Sequence, residues 1–413
     1  PYDRPPLSKQ VLLGRADARQ TTLPRACALK AEWRLGVPAE GLDLTAKRVH
    51  LADGGRIGFD RLLIATGSRA RPWPNPAEAA LDGVFMVRTS DDAAALRLEL
   101  AAGPRRVLVI GAGFTGSEVA SACREVGVAV TVVERAATPL AGALGAEIGM
   151  VAAQLQLEHG VDLRCGVSVT ALEGDASGHL RRACLDDGTT LDVDVAVVAL
   201  GSLRNTEWLR GSGLAAGPEG VACDAGCRAL DMYGLVTDNI FAAGDVARAP
   251  HPVFGYEFLA LEHWSSAVEQ ARVAARNMLA SESQGRPCLH VPTFWSFQFG
   301  VAVKSVGMPS LAEEVMVMQG SADERRFVAL YGRQGRTVAA VTFDQGKWLD
   351  FYREQIEAGA PFPPRHSNVD QPASRRPKPA GFPDPAVPAE RPRIVRTGHS
   401  PTERQWTTVQ EMG

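Results

Sequence analysis

A run of glycines in the first third of the chain has the spacing of a nucleotide-binding turn. The segment Gly111-Ala112-Gly113-Phe114-Thr115-Gly116 follows an apolar run at 107–110 and precedes residues with helical periodicity. In such a turn Gly111 permits the tight bend, Gly113 lets a pyrophosphate approach the backbone, and Gly116 lets the helix pack on the strand. The N-terminus of that helix faces the phosphate charge. This strand–turn–helix context predicts a dinucleotide site.

A carboxylate at the end of the next strand indicates which dinucleotide the turn accepts. Glu134 closes the apolar run 130–133, about 20 residues after the glycines, where an acidic side chain binds the ribose 2′-hydroxyl of NADH. The same charge would repel the 2′-phosphate of NADPH. The adjacent Arg135 could accept that phosphate, so NADPH stays open as the alternative to NADH.

Two further turns lie on either side of this unit. Ala65-Thr66-Gly67 and Ala243-Gly244-Asp245 each end a short apolar run, and Gly201 ends another. Ligands of open α/β sheets bind outside the carboxyl ends of the strands, so the carboxylate of Asp245 could hold polyol hydroxyl groups. The positions of these turns before and after the glycine motif predict one domain interrupted by another.

The elements that must position these residues follow from the apolar periodicity. Short apolar runs bounded by turn residues are typical of buried parallel strands, and spacings of three and four are typical of helices. The chain predicts strands at 59–65, 107–110, 130–134, 161–164, 195–200 and 241–243, hairpin arms at 181–187 and 189–194, and short strands from 294 to 343. It predicts helices at 91–100 with Ser90 as the cap, 116–126, 147–159, 262–279 and 347–357.

The composition is that of an ordinary globular protein and excludes several functional classes. Of 413 residues, 45% are hydrophobic and 22% are charged, and the net charge of −3 points to neither a nucleic-acid nor a membrane partner. No apolar run is long enough to span a bilayer, and no signal-peptide pattern is present. The seven cysteines are dispersed and odd in number, which argues against a disulfide framework and predicts a cytoplasmic protein. Prolines and arginines crowd the residues from 361 onward, which predicts a disordered tail.

Together these features resemble the FAD-dependent ferredoxin reductases that serve bacterial haem monooxygenases and Rieske-type oxygenases. That family belongs to the glutathione-reductase-like flavoproteins. The stretches that carry the resemblance occur in the family's order and are 4–9, 64–67, 87–89, 110–118, 240–246, 262–264 and 292–298. Their joint match is far more specific than any one of them alone.

The resemblance implies roles in FAD binding at matching positions. Lys9 resembles a lysine near flavin N5, and Arg4 lies in the same segment. Arg88 resembles an arginine at the FAD phosphate or ribityl group, and Asp245 resembles the ribityl-binding aspartate. Ala39 falls, by rough alignment, where a backbone group meets the adenine.

The same resemblance implies which residues surround the reacting rings. Trp264 falls where a backbone N–H reaches the flavin pyrimidine edge, and Trp295 resembles a tryptophan close to the flavin and the partner protein. Glu118 resembles a glutamate near the nicotinamide, and Glu262 lies in a matching stretch. No catalytic acid or base and no metal ligand is predicted. The predicted cofactor-binding residues are Arg4, Lys9, Ala39, Ala65, Thr66, Gly67, Arg88, Gly111, Gly113, Phe114, Thr115, Gly116, Glu118, Glu134, Gly201, Gly244, Asp245, Glu262, Trp264 and Trp295.

The resemblance also implies a fold and a function. The expected fold is α/β, with two Rossmann-like domains, the NAD-binding domain inserted in the FAD-binding domain, and an α+β C-terminal domain. The expected boundaries are 1–72 and 198–290 for the FAD domain, 73–197 for the NAD domain, 291–360 for the C-terminal domain and 361–413 for the tail. The expected activity passes electrons from NADH through FAD to a [2Fe–2S] ferredoxin, which feeds a monooxygenase or a dioxygenase.

Departures from the family pattern keep alternatives open. The family usually has aspartate after Trp-Ser, whereas Phe297 follows Ser296 here. The glycine turn for the ADP half of FAD belongs upstream of Arg4, and no glycine cluster before Gly111 replaces it. We expect an N-terminally truncated sequence, and a non-catalytic nucleotide-binding fragment is the alternative. A disulfide reductase or NADH oxidase of the same fold is a third reading, but it needs a cysteine beside the flavin, and the first in the chain, Cys27, comes late for that role.

Overall fold

The computed structural model describes residues 4–17, 21–23, 30–281 and 284–364, together with the backbone of 394–397. The helices are α1 (Pro76–Ala79), α2 (Ser90–Ala101), α3 (Phe114–Glu125), α4 (Ala141–Leu144), α5 (Ala146–Glu158), α6 (Trp264–Leu279) and α7 (Leu349–Glu357), and a π-helical turn spans Leu7–Val11. Within these described ranges, no helix is both long enough and apolar enough to cross a membrane.

The strands fall into several sheets. In chain order they are β1 (Ala39–Asp43), β2 (Arg48–Leu51), β3 (Arg56–Gly58), β4 (Leu62–Ile64), β5 (Ser68–Ala70), β6 (Val84–Phe85), β7 (Arg106–Ile110), β8 (Ala129–Glu134), β9 (Asp162–Cys165), β10 (Val169–Gly174), β11 (Leu180–Leu185), β12 (Thr190–Asp192), β13 (Val195–Val198), β14 (Ser202–Arg204), β15 (Ala216–Gly217), β16 (Gly220–Ala222), β17 (Arg228–Leu230), β18 (Val236–Ala242), β19 (Ala247–His251), β20 (Glu257–Leu261), β21 (Thr293–Gln298), β22 (Val301–Gly307), β23 (Glu314–Ser321), β24 (Arg326–Arg333), β25 (Arg336–Phe343) and β26 (Ile394–Thr397).

The predicted βαβ unit lies at the centre of a parallel sheet. Its strand order is β6-β13-β7-β8-β9, and every neighbouring pair is parallel. Alternate residues of each strand face opposite sides. Val195 and Val197 pack with helices α2, α3 and α5 on one side, whereas Ala196 and Val198 pack with the β10-β11-β12 sheet on the other. The result is a three-layer unit with the glycine turn at the carboxyl end of β7.

The strands of a second sheet precede and follow this unit along the chain. Strand β4 pairs in parallel with β18, so that Leu62 lies beside Ile240 and Ile64 beside Ala242. The whole parallel sheet β6–β9 and β13 lies between them along the chain. The chain leaves the second sheet for the inserted unit through β5 and returns through β14. These two strands pair antiparallel. One Rossmann-like unit is therefore inserted within another, as the sequence predicts.

The C-terminal sheet positions the last part of the site. Its order is β21-β22-β25-β24-β23, with antiparallel pairs throughout. One face joins the core cluster of α3 and α5, where the hydroxyl of buried Tyr331 donates to the carbonyl of Leu144 at 2.7 Å. The other face is covered by α7 through Tyr352 and Ile356. This packing brings the edge strand β21 against α3.

Two sequence predictions need correction. Helix α2 is capped by Thr89 and not by Ser90, because the Thr89 side chain accepts from the amide of Asp92 while the Asp92 carboxylate accepts from the amide of Thr89. The tail predicted to be disordered from 361 onward contains ordered pieces. Phe362 is 7% exposed and packs on Gly332, and β26 pairs in parallel with β20. A buried aromatic ring orders the first piece and backbone pairing to a sheet edge orders the second, and neither needs a periodic apolar pattern in the sequence. The rest of the segment lies outside the described residues.

Candidate functional site

A cavity of about 590 Å³ lies between the two Rossmann-like units and the C-terminal sheet. This volume is within the range of small-molecule and cofactor sites. Its wall carries both aromatic rings and charged groups. The predicted cofactor-binding residues that line it are Arg4, Lys9, Arg88, Phe114, Thr115, Glu118, Asp245, Glu262, Trp264 and Trp295. The structure thus brings together residues that lie as far apart in the sequence as Arg4 and Trp295.

A buried ion pair forms one wall of the cavity. The ammonium of Lys9 lies 2.8 Å from Oε1 of Glu118, and the two side chains are only 13% and 5% exposed. Lys9 also donates to the carbonyl of Pro5 at 3.0 Å. The hydroxyl groups of Ser8 and Ser296 donate to the two oxygens of Glu118. The π-helical turn, α3 and β21 therefore meet at one carboxylate.

A second charged cluster lies at the carboxyl end of β18. The guanidinium of Arg88 donates to Asp245 at 2.7 Å and to the hydroxyl of Ser68 at 2.8 Å. The cap of α2 holds Arg88 in place, because Asp92 accepts from its backbone amide at 2.9 Å. Asp245 also accepts from Ser68 at 2.8 Å. These groups can offer both donors and acceptors to a phosphate or a polyol chain.

The N-terminus of α6 also reaches the cavity. The helix begins at Trp264, and the N-cap residue His263 makes no side-chain cap hydrogen bond. Its first turn contains no acidic residue. The positive end of the helix dipole is therefore directed at whatever occupies this part of the cavity. Glu262, just before it, is paired at 3.1 Å with Arg204, which is 7% exposed.

Aromatic side chains form the mouth of the cavity. Phe114 packs on Phe294 with ring centroids 4.5 Å apart. Trp264 and Trp295 meet edge to face at 6.1 Å, and they are 44% and 45% exposed. Phe297 is 52% exposed and lies two residues further along β21. Large aromatic rings left this open beside a cavity mark a surface for a partner or a ligand.

The glycine turn has the close contacts that its sequence predicts. Gly111 has φ +102°, and a Cβ there would lie 2.6 Å from the carbonyl oxygen of Ala199. A Cβ on Gly116 would overlap the carbonyl oxygen of Gly111. Glu134 accepts from the amide of Ala112 at 2.7 Å and from that of Ala136 at 2.8 Å. The carboxylate that should meet the ribose therefore also holds the turn in shape.

The glycine turn and the cavity are joined along one surface. A small pocket of about 10 Å³ beside the turn is lined by Gly113 and Glu134. It shares Gly142 and Ala143 with the large cavity. Asp245 lines the same large cavity. The residues of α4 therefore connect the glycine turn to the cavity that contains the Lys9–Glu118 pair.

Other predicted residues do not line the large cavity. Ala39 begins β1 and packs with the core under β1 and β2. The turn at 65–67 ends β4, where the hydroxyl of Thr66 donates to the carbonyl of Asn205 at 2.8 Å. Gly201 accepts at its carbonyl from the amide of Arg71 at 2.9 Å. These two turns hold the crossover between the inserted unit and its host. Gly244 precedes Asp245 and donates to the side chain of Gln270 at 2.8 Å.

The sequence does not identify some residues of the site. Ser8, Ser68 and Ser296 supply hydroxyl groups to the two charged clusters. Their only signal is adjacency to Lys9, to the turn at 65–67 and to Trp295. Serine is too common for adjacency alone to identify them.

No described cysteine lines the cavity, and burial makes several of the described thiols poor nucleophiles. Burial raises the pKa of Cys123 to about 12, and it raises the pKa of Cys223 and of Cys227 well above the usual range. The thiolate is the reactive form. Cys27 lies outside the described residues. The part of the chain that the structure describes therefore gives no support to a disulfide reductase.

Glu134→Gln should weaken the preference for NADH. Glutamine removes the charge that repels a 2′-phosphate. Its NH₂ group must face the amide of Ala112 or that of Ala136, but this disturbs the turn for both nucleotides alike, so the ratio of their rates reports the charge. We expect the ratio of kcat/KM for NADH to that for NADPH to fall about tenfold. Steady-state rates with both nucleotides measure this ratio. Glu147→Gln, an exposed glutamate in the first turn of α5, is the matched control and should leave the ratio within about twofold. An unchanged ratio in Glu134→Gln would contradict the assignment.

Comparisons with known proteins agree with this geometry. Residues 1–274 match the family model described as pyridine nucleotide-disulphide oxidoreductase, and residues 293–374 match the model described as reductase C-terminal. The ferredoxin–NAD(+) reductase component of the anthranilate 1,2-dioxygenase system of Burkholderia cepacia is 35% identical over 365 residues, which cover 87% of this chain and 86% of that protein.

Further relatives extend the likeness. Rhodocoxin reductase of Rhodococcus erythropolis is 34% identical over 331 residues, covering 79% of this chain and 74% of that protein. In the crystal structure of the covalent putidaredoxin reductase–putidaredoxin complex, a similar chain superimposes with a TM-score of 0.78 at 27% identity, covering 87% of this chain and 85% of that one.

Proposed function

The chain belongs to the pyridine nucleotide-disulphide oxidoreductase family, and we propose that it is an FAD-dependent reductase that passes electrons from NADH to a [2Fe–2S] ferredoxin. The observation that carries the proposal is the single cavity in which the Lys9–Glu118 pair, Asp245 and the start of α3 meet. The C-terminal match and the names of the relatives, which are reductase components of oxygenase systems, support the same reading. The ferredoxin would in turn supply a monooxygenase or a dioxygenase.

The residues present fit the flavin end of FAD. The cavity is large enough for a tricyclic ring, has aromatic rings at its mouth, and has the N-terminus of α6 at one wall. Arg88 and Asp245 supply the polar groups that a ribityl chain or a phosphate needs. When bound, FAD supplies the conversion of a two-electron hydride donor into a source of single electrons. Overall, one NADH yields NAD⁺ and a proton while two ferredoxins each gain one electron.

The chain's own residues bind and orient the two cofactors and limit the access of water to the cavity. The glycine turn and the N-terminus of α3 bind the pyrophosphate of NADH. Glu118 fixes Lys9 so that its positive charge stays at the cavity wall. The positive end of α6 favours negative charge on the neighbouring ring edge. Trp264 and Trp295 lie at the mouth of the cavity, where their rings would limit the access of water to a bound cofactor.

The proposal includes domain boundaries at 72/73, 197/198 and 290/291. The crossover through β5 and β14 supports the first two, and the start of β21 at Thr293 supports the third. We place the protein in the cytoplasm, because the described cysteines are free thiols and the electron donor is NADH.

NADH-dependent reduction of a [2Fe–2S] ferredoxin, followed by the loss of its visible absorbance, tests the function. We expect Phe297→Ala to lower ferredoxin reduction about tenfold more than it lowers ferricyanide reduction, because an exposed aromatic anchor contributes to docking a protein but not a small ion. Tyr233→Ala removes another exposed ring, 74% exposed on the β17–β18 hairpin, and should leave the ratio of the two rates unchanged. Protein that reduces ferricyanide but no ferredoxin would refute the partner assignment.

A further inference from the structure

We propose that Ser296 and Gln298 are positioning residues that hold Glu118, and through it Lys9, at the cavity wall. The proposal rests on the proposed function, since the Lys9–Glu118 pair has its use there. It assigns to the C-terminal sheet a role inside the site, besides the surface that this sheet offers to a partner.

Strand β21 exposes aromatic side chains on one face and buries polar side chains on the other. Trp295 and Phe297 point outward and are 45% and 52% exposed. Ser296 and Gln298 point inward and are 2% and 1% exposed. Because side chains alternate along a strand, the orientation of the outward pair also determines the orientation of the inward pair. The strand that forms the outer aromatic surface therefore also delivers two polar groups to the inside.

The polar groups form a chain with a defined direction. The side-chain amide of Gln298 donates to Oγ of Ser296 at 2.8 Å. Oγ of Ser296 donates to Oε1 of Glu118 at 2.6 Å. A hydroxyl group has one proton and two lone pairs, so the amide of Gln298 occupies a lone pair and leaves the Ser296 proton to face the carboxylate. Gln298 thus fixes the rotation of the Ser296 hydroxyl.

The oxygen that Ser296 holds is the one that Lys9 contacts. Both groups meet Oε1 of Glu118, while Ser8 donates to Oε2. Without the Ser296 hydroxyl, Oε1 keeps Lys9 as its only described partner and the carboxylate can rotate with it. Glu118 is 6% exposed, so water replaces the lost donor poorly. The position of Lys9 is then no longer set by the C-terminal sheet.

Ser296→Ala tests this in FAD-loaded protein with ferricyanide as the acceptor. We expect kcat to fall about tenfold while KM for NADH changes less than about twofold, because the loss acts at the reacting end and not at the glycine turn. Ser296→Thr restores the hydroxyl and should recover most of kcat. Ser305→Ala is the matched control: Ser305 is fully buried in β22 of the same sheet, and its hydroxyl has no hydrogen-bond partner among the described residues. It should leave kcat within about twofold.

A double-mutant cycle separates positioning from general damage. If Ser296 acts through Glu118, Ser296→Ala should lower kcat no further in a Glu118→Gln background. Effects that multiply independently would overturn the proposal, and so would equal losses in Ser296→Ala and Ser305→Ala.

A readout that needs neither flavin nor NADH distinguishes this proposal from the proposed function. Brief acetylation followed by mass spectrometry reports how tightly Lys9 is held. We expect Lys9 labelling to rise about fivefold in Ser296→Ala and in Glu118→Gln, and to stay at the wild-type level in Ser305→Ala. Wild-type protein without NADH–ferricyanide activity would refute the proposed function alone. Unchanged labelling of Lys9 in Ser296→Ala would refute the positioning role, whatever the activity.

Discussion

Glu118→Gln is expected to slow the reduction of bound FAD by NADH about a hundredfold. The variant has almost the same shape, so the effect comes from charge and hydrogen bonding. Lys9, Ser8 and Ser296 all direct donors at the two oxygens of the native carboxylate. The amide of glutamine has one oxygen and one NH₂ group, so its NH₂ must face at least one of these donors.

The size of this effect follows from burial. Removing one member of a buried ion pair costs about 3–5 kcal/mol, and Lys9 at 13% exposed recovers part of this from water. A loss of about 2.7 kcal/mol at the reacting end corresponds to two decades in rate. Anaerobic stopped-flow measurement of the flavin absorbance near 450 nm gives that rate directly.

A second glutamate on the same helix provides the control. Glu125 lies at the end of α3 and pairs with Arg15, but the two side chains are 39% and 59% exposed. Exposed pairs contribute little because water and salt screen them. Glu125→Gln should therefore change the rate less than about twofold. A similar loss in both variants would show that α3 is merely sensitive to substitution, and the assignment of Glu118 would be wrong.

The sequence predicts the scaffold of this site because the scaffold is encoded locally. The strand at 107–110, the glycine turn and the helix after it need only neighbours within a few residues, and the structure has them as β7, the turn and α3. The inserted architecture was predictable for a similar reason. The turns at 65–67 and 243–245 each end an apolar run, which is typical of a buried parallel strand, and the structure pairs these two strands, β4 and β18, in parallel.

The contacts within the site are encoded at long range and leave no periodic signal. Ser8 and Ser296 reach Glu118 across sequence separations of 110 and 178 residues. Which serines meet a given carboxylate depends on how the C-terminal sheet docks on α3, and that depends on the summed packing of the core. The sequence does not distinguish the cap of α2. Thr89 and Ser90 are both good cap residues, and only the reciprocal bond with Asp92 distinguishes them.

Gly116→Ala should raise KM for NADH by about a hundredfold or more. A Cβ at this position would overlap the carbonyl oxygen of Gly111 and lie 3.2 Å from a methyl group of Val109. Backbone cannot rotate away as a flexible side chain can, so α3 must move off β7 to make room. The first turn of α3 carries the N–H groups that face the pyrophosphate, and a displacement of about 1 Å in such a group is enough for this loss.

Gly217→Ala controls for adding a methyl group in itself. A Cβ on Gly217 would meet no atom of the described residues within 4 Å, and the φ of Gly217 is not in the left-handed region. KM for NADH should be unchanged in this variant. Both proteins should retain wild-type flavin absorbance, because the proposed flavin site lies beside Lys9 and α6, whereas Gly116 lies at the turn proposed to bind NADH. Reduction by dithionite, which bypasses the nucleotide site, should proceed normally in Gly116→Ala. Any movement of α3 that makes room for the methyl group also moves the N-terminus of α3. If Gly116→Ala nevertheless binds NADH as the wild type does, the nucleotide does not bind at this turn.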